Sequence, residues 1–408
     1  MALIVAVVAL PPAAGAGAGA GLEVVGRHDL GGGGGHLGVA VIGSTAIVVS
    51  DSGPCTGATA TLVDVGNPRR PRLTGTTPLA VGEITGLAAG GGLVAAAGPT
   101  CPRPGGAVAY LRTTGPAVAT RTGEGTAPAV ALAPGADGAA GRARAAVAWA
   151  PSGLVEVVDL TDPSDPQPVA TWSAPGGPPV DVDLYDRGRR LVVLGGDGRL
   201  LDLDLDLDVP GAPAPVVAGD VDTGAGGASH VTVSPLAART VAVVSAPDGL
   251  RIVDLDAAGG AQATQLVRSA SAAAPGKVVV SGDYAFVPWH GDGLRVLDLG
   301  GPHPATLAEF DPDGDIVGVA LLPDHVLALD RSAGLYVLER PGEGGGGSSD
   351  RDVLFLAGVA LAGLILLLAV PRVATALSAS AQSSPARQAA AARARPRARP
   401  GRKRGTTP

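Results

Sequence analysis

Asp248-Gly-Leu-Arg-Ile-Val-Asp254-Leu recurs 44 residues further on as Asp292-Gly-Leu-Arg-Val-Leu-Asp298-Leu. Near-copies stand at Ser152-Gly-Leu-Val-Glu-Val-Val-Asp159-Leu, Asp197-Gly-Arg-Leu-Leu-Asp202-Leu and Ala333-Gly-Leu-Tyr-Val-Leu-Glu339. Weaker ones are Ala60-Thr-Leu-Val-Asp64-Val and Gly106-Ala-Val-Ala-Tyr-Leu111. With the acidic position or its equivalent as the mark, the register falls at 64, 111, 159, 202, 254, 298 and 339. Steps of 41 to 52 residues, made only of strand signals, are the spacing of propeller blades.

Around the mark, each unit repeats one grammar. A small-residue strand such as Val278–Val280 meets a tight turn at Ser281-Gly-Asp283, then a second strand, Tyr284–Val287. An Asp-Gly loop leads to the third strand, Leu294–Leu299, and a Gly/Pro-rich turn precedes an outer strand, Thr306–Phe310. Short alternating runs punctuated by Gly, Pro and Asp are all-β signals, and no amphipathic helical pattern interrupts them. A β-sandwich is the competing reading, but it does not predict a near-constant register over 275 residues. Seven units are expected, with six or eight as the alternatives.

The last unit stops at Glu339-Arg-Pro341 without an outer strand, while Leu22-Glu-Val-Val-Gly-Arg27 stands unclaimed before the first inner strand. The expectation is an all-β, seven-bladed propeller over 21–340, its ring closed by that N-terminal strand so that no long edge is left open.

The period gives the composition a place. Of 408 residues, 63 are Gly and 36 Pro, about a quarter of the chain, which would suit the turns of seven blades. Hydrophobic residues make up 46%, but only ten are aromatic, so the core must be built from Val, Leu and Ala. Collagen, heptad coiled coil and zinc finger are excluded: there is no glycine triplet, no long Glu/Lys-rich helix and only two Cys.

Both ends read as export and anchoring signals. Ala2–Leu10 is apolar and is followed by Pro and small residues, the pattern of a cleaved secretory signal over 1–20, although a basic start is missing. A buried strand is the other reading of that run. Residues 341–352 form a Gly-rich linker, and Val353–Val370 carries no charge, as a single C-terminal transmembrane helix over 353–371 requires. Nine basic residues and no acid follow in 372–408, which places the C-terminus in the cytoplasm, a single-pass type I arrangement in the cell membrane. The tail has the composition of a disordered segment and suits contact with anionic lipid, although topology alone accounts for its charge. Without those nine charges the net −7 of the chain becomes −16 over 1–371. So acidic an ectodomain argues against nucleic acid as its ligand.

Gly249–Leu255, Gly293–Leu299 and Gly153–Pro166 resemble the LVIVD repeat of bacterial and archaeal surface proteins, over roughly residues 22–340. The resemblance implies an extracytoplasmic β-propeller and carries no catalytic residues with it. It is good in three units and degraded around Asp64 and Leu111.

Cys55 and Cys101 lie one period apart in equivalent loops between second and third strands, and in an exported chain they read as one disulfide rather than two free thiols. Aligning the starts of the innermost strands gives Gly38, Thr85, Ala129, Asp181, His230, Lys277 and Gly318 around the channel. Asp181, His230 and Lys277 thus stand on three consecutive units, a set that would hold a small polar ligand or supply acid–base groups. A solvated channel whose charges neutralise one another is the plainer reading. No Gly-x-Ser-x-Gly elbow or His-Glu-x-x-His motif accompanies them. Trp289 and His290 form a candidate contact patch on the loop face, against packing of the Trp between blades. Asp311, Asp313 and Asp315 resemble a calcium loop without its later bidentate Glu; hairpin chemistry explains them as well, and no other cofactor is implied. Asp202, Asp204, Asp206 and Asp208 alternate with Leu, which predicts carboxylates along a solvent-facing strand edge.

The functional expectation is non-catalytic binding of an extracellular protein or glycan through loops on one propeller face. A hydrolase- or lactonase-type propeller enzyme using Asp181, His230 and Lys277 is the alternative, and an envelope component without a discrete ligand is a third.

Overall fold

The computed structural model describes residues 20–341 except 32–34, 52, 54, 102–104, 114–117, 124, 134–142, 176, 206–214, 258–261, 269–272 and 302. The signal (1–20, save Ala20), most of the linker (341–352), the membrane helix (353–371) and the basic tail (372–408) therefore lie outside the described residues. Among the described residues no helix is long and apolar enough to cross a membrane.

Seven antiparallel sheets follow one another along the chain, each a four-stranded blade read from inner to outer strand in sequence order. Blades 1 to 6 occupy residues 36–79, 86–123, 126–173, 179–222, 230–267 and 279–310. Blade 7 takes three strands from residues 316–339 and its outer strand, Val24–His28, from the start of the chain. That strand pairs antiparallel with Gly334–Glu339, from Val24 opposite Leu338 to His28 opposite Leu335, so the expected closure is present. A further step was not foreseen: Ala20–Gly21 adds a parallel fifth strand to blade 6, beside Ala308 and Glu309, and Leu22 N–H donates to the Glu309 carbonyl at 3.0 Å. The entering chain thus ties two blades, with Leu22 buried between them.

The core lies between blades rather than within any one of them. Seven clusters of buried, mostly aliphatic residues fill the seven seams; Ile47, Val49, Ala60 and Leu62 of blade 1, for example, meet Val94, Ala96, Ala107 and Ala109 of blade 2. The second strand of each blade buries both faces, which is why its residues form a nearly continuous apolar run, such as Leu93–Ala97 in blade 2 and Ala145–Trp149 in blade 3, rather than an alternating pattern.

The repeated residues have local reasons. The glycine of each Gly-Leu pair turns the chain into the third strand with positive φ, +82° at Gly293 and +95° at Gly334. A Cβ at Gly293 would come within 2.2 Å of the Phe310 carbonyl, and one at Gly334 within 2.4 Å of the His28 carbonyl, so no other residue fits. The acidic mark ends the third strand by accepting the N–H two residues on: Gly66 to Asp64, Thr161 to Asp159, Asp256 to Asp254 and Gly300 to Asp298.

Pairing moves the mark in blade 4. Arg190 pairs with Asp204 as Thr45 does with Asp64 and Tyr284 with Asp298, so Asp204, not Asp202, is the equivalent residue. Of the expected row of solvent-facing carboxylates, Asp204 is exposed, and Asp202 is the correction. Asp202 lies in the third of four strands and is 2% exposed, where other blades place Leu62, Val157, Ile252, Val296 and Val337. Its carboxylate accepts the Tyr185 hydroxyl at 2.7 Å and pairs with Arg190. Asp206 and Asp208 lie outside the described residues.

Candidate functional site

Seven inner strands surround a central channel whose mouth opens among the loops that enter the inner strands and those that join second to third strands. The disulfide lies on this face: Cys55 and Cys101, from blades 1 and 2, are bonded with Cα atoms 5.2 Å apart. The channel encloses a cavity of about 530 Å³, lined among others by Gly38, Thr85, Asp181, His230, Lys277 and Gly318. Ala129 is the exception among the aligned positions. It is buried in the seam between blades 3 and 4, and Val130, Ala131 and Leu132 line the wall in its place.

Asp181 starts the inner strand of blade 4, Pro179–Tyr185. Its carboxylate crosses the seam to accept the Val231 N–H of blade 5 at 2.8 Å, and it also accepts the N–H of Val182 at 3.0 Å. The Lys277 ammonium of blade 6 reaches both of its oxygens at 3.3 Å, and His230 Nδ1 stands 3.7 Å away, too far for a hydrogen bond. The three residues therefore do come together. Burial alone would raise the Asp181 carboxyl, but Lys277, His230 and the Val231 N–H outweigh it and hold it below its ordinary value. Burial likewise works against the Lys277 ammonium, and Asp181 and Asp183 more than offset it, so that group stays charged.

Asp183 is the member that sequence reasoning missed. It sits two residues on, hence on the same strand face. Its carboxylate accepts the Val233 N–H across the seam at 2.7 Å and the Leu184 N–H at 2.9 Å. Burial, reinforced by Asp181, pushes its pKa up to about 6 against the pull of Lys277 and the two N–H groups. The alternation Asp181-Val-Asp183-Leu was the available signal.

A second polar group lies beside the first. His290 Nδ1 and Gly291 N–H approach one Asp315 oxygen at 3.2 and 3.3 Å, and Arg331 Nε donates to the other at 2.9 Å. Arg331 and His290 hold Asp315 below its ordinary range despite its burial. This use of Asp315 corrects the calcium reading: Asp311, Asp313 and Asp315 do not converge, and among the described residues no three His, Cys, Asp or Glu side chains are placed to hold a metal. Trp289 is corrected as well. It is fully buried between blades 5 and 6, so it offers nothing to a partner, whereas His290 remains on the channel wall.

The mouth is thus two-sided. Asp181, Asp183, His230, Thr232 and Lys277, from blades 4 to 6, with His290 and Arg331 toward blade 7, put the charged side chains on one wall, set among Val279, Val317 and Val319. Leu37, Val39, Ile84, Leu87, Val130 and Leu132, from blades 1 to 3, make the opposite wall aliphatic.

No family model matches the chain, and no curated protein matches it. Among solved structures, the β-propeller domain of Myceliophteria thermophila Cps50 (Swd1) is similar, with a TM-score of 0.59 and 13% identity over 78% of this chain and 99% of that one. It is one of 1373 matching chains. What the likeness assigns is the propeller fold alone.

Proposed function

We propose that this chain is a non-catalytic binding protein that receives its partner at the channel mouth, held outside the cell by one C-terminal membrane span. The observation that carries the reading is how the mouth spends its reactive groups. The Asp181 and Asp183 carboxylates are occupied by backbone N–H groups across the seam. The two hydroxyls lining the cavity, Thr85 and Thr232, donate to the carbonyls of Ala97 and Val278. The hydroxyl on the polar wall, Thr232, thus gives its proton to a backbone carbonyl and not to a base, as nucleophilic catalysis would need. Ser50 Oγ and His36 Nδ1 do lie 2.8 Å apart, but His36 is 6% exposed and burial lowers its pKa. That favours a packed pair over a working one. The acidic ectodomain, the basic tail and the resemblance to LVIVD repeats support the surface setting.

Residues 20–341 contain the closed ring with its seven seams, so this segment serves as soluble bait. Bait carrying His290→Glu and Arg331→Glu should lose a surface partner that the native bait and a variant of the opposite face both retain. Equal capture by all three would refute the mouth as the binding face. If the native protein hydrolyses an ester or lactone, and folded Asp181→Ala/His230→Ala/Lys277→Ala does not, the enzyme reading replaces this one.

A further inference from the structure

The two walls of the mouth differ in what they leave available. On the polar side the acceptors are already used: the Asp181 side chain is 3% exposed with both oxygens taken by N–H groups and Lys277, the part-buried Asp183 accepts the N–H groups of Val233 and Leu184, and Asp315 is bonded to Arg331 and Gly291. The donors are open. The side chains of Lys277 and His230 are each 35% exposed, and that of Arg331 is 45% exposed with only its Nε bonded to Asp315. An entering group therefore finds ammonium, imidazole and guanidinium N–H exposed, while the carboxylates beside them are already hydrogen-bonded. Such a wall pairs with an acceptor, best with one that carries charge.

The facing wall is aliphatic, and among the lining residues none is Phe, Tyr or Trp. A sugar ring normally rests on an aromatic face, and this wall has none to give. It suits an alkyl chain or the side chains of an apolar peptide. The cavity of about 530 Å³ falls within the usual range for small-ligand sites.

We propose that the channel mouth binds a carboxylate carried on an aliphatic body, with the acid on Lys277, His230 and Arg331 and the body against Ile84, Leu87 and Leu132. This rests on the reading of the mouth as a binding site and gives that site its ligand chemistry. The carboxylate belongs either to a free acid or to the end of a partner polypeptide, and the same donors serve both.

The test is calorimetric titration of residues 20–341 with octanoate, octylamine and octanol. Octanoate is expected to bind one to one with Kd below about 1 mM, at least about tenfold tighter than the alcohol, and the amine no tighter than the alcohol. Equal affinity for the three, tighter binding of the amine, or no heat with octanoate at about 5 mM overturns the proposal. Lys277→Met with Asp181→Asn removes the ammonium and the carboxylate bonded to it together, and should weaken octanoate by about tenfold or more. In case that protein does not fold, Arg331→Gln alters an exposed side chain and should weaken octanoate about threefold to tenfold. Unchanged affinity in the folded variants overturns the assignment of the donors.

Acetyl-Ala-Val-Leu with a free C-terminus, compared with its C-terminal amide, separates the sources. Tighter binding of the peptide acid than of octanoate identifies a partner terminus, and the reverse a small acid. A partner captured at the mouth by a protein that ignores octanoate and the peptide acid leaves the binding function standing and removes this inference alone.

Discussion

Replacing Asp183 by Asn should make the stability of the propeller less sensitive to pH, in a direction set by the channel. An unfolded aspartate titrates near 3.8, whereas in the folded channel burial and the neighbouring Asp181 push this carboxyl up to about 6. The folded state therefore holds the proton more tightly, and the group's contribution to stability is complete below the unfolded value and lost as pH rises through 6. At full ionisation the two pKa values correspond to about 3 kcal/mol, of which about 2 kcal/mol falls between pH 4.5 and 8. Asn gives up one of the two accepted N–H bonds, to Val233 or Leu184, at a pH-independent cost of about 1 kcal/mol. Native protein and Asp183→Asn should then be nearly level at pH 4.5, with the variant ahead by about 2 kcal/mol at pH 8. Urea unfolding of residues 20–341 at several pH values, read as the difference between the two proteins, isolates this group from every other titration. A difference that stays constant with pH, or that favours the native protein at pH 8, would refute the argument that burial and Asp181 raise the Asp183 carboxyl.

Three further outcomes follow from the architecture. Removing residues 20–30 takes away the strand opposite Gly334–Glu339 and uncovers the seam that buries Leu22, so the melting temperature should fall by roughly 5–10 °C; an unchanged value would mean that the N-terminal strand does not hold the ring shut. Cys55→Ser with Cys101→Ser opens a loop spanning a sequence separation of 46 and should cost up to about 4 kcal/mol on chain entropy, measured by urea unfolding; indifference to the change would mean that the remaining blades already fix those loops. Arg190→Met strands the buried Asp202 carboxylate and should cost about 3–5 kcal/mol, whereas Arg190→Met with Asp202→Leu should recover most of it. Equal losses in the single and double variants would show that the position needs a carboxylate for some other reason.

The fold was legible because each repeated residue answers a local requirement. Gly293 and Gly334 sit where only glycine fits, and Asp64, Asp159, Asp254 and Asp298 each close the turn that follows a third strand. Such residues recur because the turn recurs, and the period is then visible even where the seam residues drift among Val, Leu and Ala. Blade 4 misled for the same physical reason. Its third strand runs Arg199-Leu-Leu-Asp-Leu-Asp204, so two aspartates compete for the mark, and the one nearer the repeated Gly fits the pattern better. Only the pairing of Arg190 with Asp204 decides between them. A buried ion pair at an otherwise aliphatic position leaves no periodic trace.

The candidate site was half legible. Asp181, His230 and Lys277 come together because inner strands of successive blades bring equivalent positions side by side, which a register alone foretells. His290, Asp315 and Arg331 meet through different loops of blades 6 and 7, and no spacing announces that. What the triad means also changed once Asp183 joined it. Asp181 and Asp183 both lean from blade 4 onto the N–H groups of blade 5, while the seam between blades 1 and 2 is closed by aliphatic packing. With its acceptors turned into the seam, the polar wall presents Lys277, His230 and Arg331 to the cavity. The same hydrogen bonds that fasten blade 4 to blade 5 therefore give the mouth its preference for a ligand that brings its own acceptor.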